Sequence, residues 1–297
     1  ATIFVVTIHN PHASYATIRR RLQQQTAERV ISFLDLAWAL PEIFLPYLAF
    51  ELPQAVLAKA APIRRTFGLL ADAESQRQFV AHLTFRLWLD FDALPASCKG
   101  DYLDDSVLGP LAADITYVDC SAFDGDTIRP FLARTAGRFA RILAYEPDAE
   151  NYRKLTDYVG ALPEAVRRRI VTRQAGVWDK RQQLVFMATG TTGAAFGDGA
   201  GQADAVALDD EIADDDTPLL IKIDVEGAEA AALAGARRTI QRRRPSVVLS
   251  IYHRPDDLWE LPAALHALDP SSRLFIRTLG EDGMDVVCYL VPRDVAR

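Results

Sequence analysis

From Thr116 onward the chain alternates short apolar, β-type runs with helix-length segments, and this alternation constrains the fold more than any other feature. Strand-type runs cover Thr116–Cys120, Arg141–Glu146, Arg169–Val177, Leu219–Val225 and Val247–His253, with a further extended piece at Leu184–Ala188. Helical segments fall at Thr127–Ala136, Ala149–Val159, Ala228–Gln241 and Asp257–Leu268. Strands joined by helices of this length lie mostly parallel, with helices on both faces of the sheet. The last two strands, Arg273–Leu279 and Val286–Val291, are separated only by the turn around EDGMD, so they lie antiparallel or splay apart. The expected fold is therefore α/β, a mostly parallel sheet with one antiparallel strand near its end.

The first third reads differently. Ile3–Ile8 suggests a buried strand, Ile18–Thr26 a helix and Val30–Leu36 a second apolar run, followed by Pro-punctuated apolar helix to about Leu70. Over Glu74–Leu89 the apolar residues Phe79, Val80, Leu83, Leu87 and Trp88 fall on one helical stripe. The Gly-, Pro- and acid-rich loop Pro95–Pro110 supplies the boundary, giving a strand and helical extension over residues 1–97 and a second domain over 98–297. The most apolar region, Val30–Leu57, is interrupted by Asp35, Glu42 and Glu51 and by Pro41, Pro46 and Pro53. It never offers the roughly 20 uncharged residues of a membrane span. The opening ATIFVVTIHN lacks the flank and cleavage site of a signal peptide. Its start at Ala1 fits either a removed initiator Met or a cut from a longer chain.

Charge and cysteine usage narrow the partners. A net charge of −7 argues against a nucleic-acid partner. Cys98, Cys120 and Cys288 are far apart and odd in number, which fits a reducing, cytoplasmic setting and neither a zinc site nor a disulfide framework. The histidines His9, His12, His82 and His266 show no ligand spacing, and no metal is expected. The acidic runs at 209–211 and 214–216 read as a solvated loop, and the cluster Arg237, Arg238, Arg242, Arg243, Arg244 as a solvated helix end.

Open α/β sheets bind ligands outside the carboxyl ends of their strands. Asp119, Glu146, Asp224 and His253 stand at such ends, with Glu226 close behind Asp224. The loop after Asp119, CSAFDGDT, has Gly125 for close backbone approach and Asp126 or Thr127 to cap the next helix, but no GxGxxG. An acid at its entrance would repel a pyrophosphate and suit a sulfonium or ammonium group. Glu146 is placed to accept both hydroxyls of a ribose. Together these features describe S-adenosylmethionine.

The stretches YVDCSAFDGDTI, LAYEPDAENYRKL, IKIDVEGAEAAALAGARRTIQRRRPSVVLSIYH and PDDLWELP resemble the FkbM-type S-adenosylmethionine-dependent methyltransferases. The resemblance covers about Ala71–Pro292. It implies the class I methyltransferase (Rossmann-like) fold, with a seven-stranded, mostly parallel sheet, an antiparallel last strand, helices on both faces and here an N-terminal, mostly helical extension. It also implies a cofactor set of Asp119, Ser121, Phe123, Gly125, Asp126, Thr127, Glu146, Pro147, Gly176 and Val177. Ser121 stands where the family usually has glycine.

The expected reaction is O-methylation of a hydroxyl on a sugar, a glycan or a polyketide-type natural product. Holding nucleophile, methyl and sulfur in line supplies much of the acceleration, and a hydroxyl acceptor must lose a proton. His253 is the first candidate base, with Asp224, Glu226 and Glu229 behind it. Lys222 shares a face with Asp224 and either pairs with a carboxylate or stabilises an alkoxide. The small-residue segment Gly190–Gly201 is either a mobile loop near the acceptor site or a plain surface hairpin. The Pro-rich apolar helices of the first hundred residues either cover one side of the acceptor cleft or form a homodimer contact. The rivals are a non-catalytic S-adenosylmethionine-binding module and, against the missing GxGxxG, an NAD-dependent oxidoreductase.

Overall fold

The computed structural model describes residues 2–25, 28–97, 102–191, 193–197 and 199–293. Cys98, the last residue expected of the Ile18–Thr26 helix and the start of the second domain at residue 98 lie outside the described residues. In chain order the first elements are β1 (Ile3–Val6), α1 (Tyr15–Gln23), β2 (Arg29–Ser32), α2 (Phe33–Ala39), α3 (Pro41–Phe44), α4 (Pro53–Ala58), α5 (Ala60–Leu69) and α6 (Ala73–Trp88). Then come α7 (Asp105–Leu108), β3 (Thr116–Cys120), α8 (Ile128–Thr135), β4 (Arg141–Tyr145), α9 (Ala149–Ala161), α10 (Glu164–Arg167), β5 (Ile170–Arg173) and β6 (Gly176–Val177). The series continues with β7 (Gln182–Met187), β8 (Ala195–Phe196), β9 (Gly201–Val206), α11 (Leu208–Glu211), β10 (Leu219–Ile223), α12 (Glu229–Gly235), α13 (Arg237–Arg243) and β11 (Ser246–Ser250). It closes with α14 (Asp257–Leu268), β12 (Arg273–Thr278) and β13 (Val286–Val291). Seven strands form one sheet in the order β12-β13-β11-β10-β3-β4-β5.

The chain divides into two compact units, Ala1–Gly100 with Ile251–Ala263 and Leu274–Cys288, and Asp101–Ser250 with Ala264–Arg273 and Tyr289–Arg297. In the second unit β11, β10, β3, β4 and β5 pair in parallel, with Lys222 opposite Asp119 and Cys120 opposite Tyr145. The chain runs from β3 outward through β4 to β5, then returns to the other side of β3 as β10 and β11. The strand order thus reverses between β3 and β10, which is where a sheet of this kind opens a crevice beyond its carboxyl ends. Buried Tyr117, Val118, Ile142, Ala144, Leu220 and Ile221 make the sheet apolar on both sides.

Two expected elements are divided. The run Arg169–Val177 is not one strand: β5 stays in the large sheet, while β6 pairs with β9 in a four-stranded sheet of order β6-β9-β7-β8. Likewise the helix expected over Ala228–Gln241 breaks after Gly235 into α12 and α13. Gly235 lies flat against the backbone at Trp178, where a β-carbon would sit 2.0 Å from the Trp178 carbonyl oxygen. The charged runs of this unit answer one another. Arg238 pairs with Asp209 and Asp210, Arg242 with Asp214, and Arg243 with Asp215. They are mostly solvated, as expected, and in addition pair with one another across the surface.

In the first unit a cluster of Val6, Tyr15, Ala16, Val30, Leu34, Phe50, Phe85, Leu89 and Phe91 forms the core. β1 and β2 pair in parallel, but Ile3 and Phe4 are 51% and 43% exposed, so the opening strand is not the buried one that its composition suggests. A two-stranded sheet leaves its outer edges uncovered, and burial begins only at Val6, where the strand meets the cluster.

Helix α6 spans the expected segment but turns a different face inward. Ser75, Gln78, Phe79, His82, Phe85 and Arg86 are buried, while Val80 and Trp88 are exposed. The buried polar groups find partners on β12. Ser75 Oγ accepts the Ile276 N–H and an Arg277 N–H, and Arg277 also reaches Asp72 at 2.8 Å. Thr278 Oγ1 donates to Gln78 Oε1 and lies 2.8 Å from His82 Nε2. With its hydroxyl proton committed to Gln78, Thr278 accepts from His82, which fixes the proton on Nε2. Burial pushes the His82 pKa down to about 3, so the ring is neutral. Satisfied in this way, polar side chains can take inward positions that periodicity assigns to apolar ones. No helix among the described residues is long and apolar enough to cross a membrane.

Gly235→Ala is expected to lower stability by about 1–3 kcal/mol, because backbone rather than a flexible side chain must yield. Urea unfolding at one pH checks it, and a midpoint equal to the parent's would mean that α12 can move away from Trp178 at no cost.

Candidate functional site

The crevice is built on β3 and β10. Asp119, fully buried, and Lys222, 2% exposed, face each other across the two strands with Lys222 Nζ 3.3 Å from Asp119 Oδ1. The same ammonium donates to the Ser121 carbonyl at 2.9 Å and lies 3.9 Å from Asp224. Burial works against its charge, but Asp119 and Asp224 outweigh burial and raise its pKa, so Lys222 stays protonated. Asp119 Oδ2 takes a short hydrogen bond from Thr127 Oγ1. Thr127 occupies the N-cap position of α8 without capping it, since its hydroxyl is turned inward to Asp119. The exposed Asp126 instead accepts the Thr127 N–H at 2.9 Å.

Between β3 and α8 the backbone takes left-handed values at Ser121 (φ 75°), Phe123 (φ 46°) and Gly125 (φ 89°). Only Gly125 adopts such a conformation without strain. The Ser121 and Ala122 N–H groups both donate to the Tyr145 carbonyl, which ties this loop to the end of β4. After β10 the chain repeats the device, with φ 51° at Glu226 and 93° at Gly227. Glu229, buried, closes that turn by accepting the Val225 N–H at 3.0 Å.

Glu146 leaves β4 with 2% of its surface exposed. Its Oε2 accepts the Phe123 N–H at 2.9 Å and its Oε1 the Asp148 N–H at 3.0 Å. Burial pushes its pKa up to about 7 in spite of these two donors. A carboxylate offers about four lone-pair directions, so one on each oxygen remains for a ligand. Pro147, Ser121, Gly176 and Val177 meet around a small pocket, which Val225, Phe186 and Ala194–Phe196 complete. Gly176 is glycine because the Phe196 ring fills the space beside it, where a β-carbon would lie 2.2 Å from that ring. Part of the Gly190–Gly201 segment is thus a hairpin strand, β8 pairing antiparallel with β7, whose residues line this pocket. Thr192 and Asp198 of that segment lie outside the described residues.

Two residues of this neighbourhood escape a reading of strand ends. Asp148 caps α9 through the Glu150 and Asn151 N–H groups and also accepts those of Thr189 and Gly190, so it fastens the hairpin beside Glu146. Its N-cap position before a helical run is legible, but its reach across about 40 residues is not. Tyr102 donates to Asp224 Oδ2 at 2.8 Å, and its ring lies 5.2 Å from Lys222 Nζ. It sits in a stretch without periodicity, and no local signal marks it. His253 belongs to the first unit, where it is buried with its ring 4.1 Å from that of Tyr252.

The family model of the methyltransferase FkbM domain matches residues 119–275, more than half of the chain. A crystal structure of methyltransferase FkbM from Methylobacillus flagellatus KT is 21% identical, with a TM-score of 0.79 over 96% of this chain and 73% of that one. An rRNA methylase from Streptococcus thermophilus is 11% identical, with a TM-score of 0.39 over 63% of this chain and 92% of that one. A precorrin-6y C5,15-methyltransferase from Geobacter metallireducens GS-15 is 14% identical, with a TM-score of 0.36 over 63% and 82%. No curated protein matches the chain.

Ser121→Gly is expected to stabilise the protein by about 1 kcal/mol by relieving the left-handed strain, since both hydrogen bonds at this residue are made by its backbone. A melting temperature at or below the parent's would contradict this. Glu146 makes stability depend on pH. Its folded value of about 7 lies above the ordinary 4.5, so its contribution is full below about 4.5 and is lost as pH rises through about 7. The loss is on the order of 3 kcal/mol. Glu146→Gln is expected to reduce the slope of the parent by that amount, leaving the part due to Asp282 and Asp126, which burial raises to about 7 and about 6, and urea midpoints measured from pH 4.5 to 8 check it.

Proposed function

The chain belongs to the FkbM family of methyltransferases, and from that premise we propose an S-adenosylmethionine-dependent O-methyltransferase acting on a hydroxyl of a sugar, a glycan or a polyketide-type natural product. The chain has the class I methyltransferase fold, and its methyl donor is S-adenosylmethionine. The methyltransferase domain is proposed to span residues 98–297. One observation carries the assignment of the donor site. Glu146 accepts one backbone N–H on each carboxylate oxygen, beside a loop whose Ser121, Ala122, Phe123, Gly125 and Thr127 N–H groups are committed within the fold. That arrangement suits a vicinal diol better than a pyrophosphate, which is held by a cradle of free amides.

S-Adenosylmethionine supplies an activated methyl group that needs no further electrophilic assistance. In this reading Glu146 binds the ribose hydroxyls, Pro147, Gly176 and Val177 border the base, and Ser121, Phe123 and Gly125 shape the wall of the amino-acid end. Asp119 and Thr127 hold that wall from beneath, and Asp126 stands at its solvent edge. Lys222 is a fixed positive charge between Asp119 and Asp224, and it pins the Ser121 carbonyl. His253 takes the proton from the acceptor hydroxyl, with Asp224 and Glu226 orienting the acceptor. The proposal includes a small-molecule or glycan acceptor reached in the cytoplasm, and the net charge of −7 supports the lack of a nucleic-acid partner. The proposal includes a homodimer, with exposed Ile3 and Phe4 as apolar surface for it to cover.

Calorimetry with S-adenosylhomocysteine, followed by mass-shift screening of hydroxylated acceptors, tests the reading. Glu146→Ala is expected to weaken binding by about 1–3 kcal/mol, and an unchanged dissociation constant would remove the ribose assignment. His253→Ala is expected to lower turnover far more than donor affinity, and normal turnover would clear it of base duty. Donor binding without transfer to any acceptor would favour a non-catalytic module.

A further inference from the structure

We propose that Arg86 is a positioning residue, fixing the segment that follows His253 and through it the direction of the His253 imidazole. The proposal rests on the reading of His253 as the base.

Arg86 lies on the inward face of α6 with 3% of its surface exposed. Its Nη1 donates to the Pro255 carbonyl at 2.8 Å, two residues beyond His253, and its guanidinium lies 5.8 Å from the Trp259 ring. The segment is already a tight turn. The Arg254 N–H donates to Asp257 Oδ2 at 2.8 Å, and the Asp257 N–H returns to the Arg254 carbonyl. Within such a turn the direction of the Pro255 carbonyl and the path of the backbone back to His253 are one constraint. Arg86 is the side chain that holds that carbonyl from α6.

Packing alone does not account for Arg86. Burial lowers its pKa to about 10, and Asp257 and Asp256 only partly offset that cost. Its Nη2 is buried without a hydrogen-bond partner among the described residues. A methionine would fill the same volume without desolvating a charge or leaving a donor unmet. What methionine cannot do is hold the Pro255 carbonyl. The neighbouring polar residues of α6, Ser75, Gln78 and His82, bond to β12, so Arg86 alone of that face is directed to the turn.

The test uses the full chain labelled with 13C-histidine. Imidazole correlation spectra are recorded for the parent, Arg86→Met and Arg86→Lys, with the His253 signal assigned by its loss in His253→Gln. The proposal expects the His253 signal to move or split in both Arg86 variants while the exposed His12 stays in place. It also expects the S-adenosylhomocysteine dissociation constant to remain within roughly twofold, because the proposed donor residues lie in the other unit. On an identified acceptor, turnover is expected to fall roughly 10–100-fold, less in Arg86→Lys than in Arg86→Met. A His253 signal at the parent position, with a lower melting temperature alone, would reduce Arg86 to a structural residue and overturn the proposal. Should Arg86→Met fail to fold, Arg86→Lys keeps a charge and a donor, and its spectrum decides in the same way. Failure of the base reading is separable: His253→Ala would then retain turnover, whatever the Arg86 spectra show.

Discussion

The Asp119–Lys222 pair is the interaction on which the second unit's crevice depends. It lies at the point where strand order reverses, on adjacent strands in register, with neither partner in contact with bulk water. Removing two charges from water is costly, and the attraction between them offsets that cost only when the remaining valences are met. Here Thr127 bonds one oxygen of the acid and the Ser121 carbonyl bonds the ammonium, with Asp224 3.9 Å away, while among the described residues Asp119 Oδ1 has only the ion pair at 3.3 Å. The pair therefore fixes the start of α8, the turn after β3 and the exit of β10 together. An apolar pair would fill the same space but would leave the Ser121 carbonyl and the Thr127 hydroxyl without these partners.

Part of the backbone's left-handed strain lies where that pair acts. The left-handed residues Ser121, Phe123 and Glu226 all follow directly on β3 or β10. Such conformations cost on the order of 1–3 kcal/mol each and persist only where the surroundings over-determine them. The loop after β3 is held by the Tyr145 carbonyl, by Lys222 and by Glu146, so its shape does not wait for a ligand. A preformed loop loses little freedom on binding, which is how a site of few polar contacts can still hold a small molecule well.

The alternation of strands and helices made the parallel sheet legible, and the residue at each strand exit made Asp119, Glu146 and Asp224 legible as one rim. What could not be read was non-local. The break between β5 and β6 arises because Gly176 and Val177 pair with β9, some 30 residues later, and a β-type run does not announce which sheet its halves will join. The inward face of α6 was hidden for another reason. Periodicity assumes that apolar residues turn inward, whereas Ser75, Gln78 and His82 are buried because β12 offers them partners. Ser121 adopts a φ of 75° that glycine takes without strain, and a residue letter alone does not disclose φ.

The electrostatics of the rim are more selective than a row of acids would suggest. Asp119 is neutralised by Lys222, so the two together present little net field to a ligand. Asp224, half-buried and 3.9 Å from the same ammonium, leaves one negative charge in excess around Lys222. Glu146, with a pKa of about 7, sits near its midpoint at neutral pH and ionises more fully when hydroxyl donors reach it. Under the proposed function, such a site would favour a ligand with one positive charge and a diol over its neutral counterpart. A sulfonium donor loses that charge on methyl transfer, so the field proposed to assist its binding would give less to the product. Discrimination of this kind needs no movement of the protein, only a buried ammonium that cancels one acid and leaves the next exposed to the ligand.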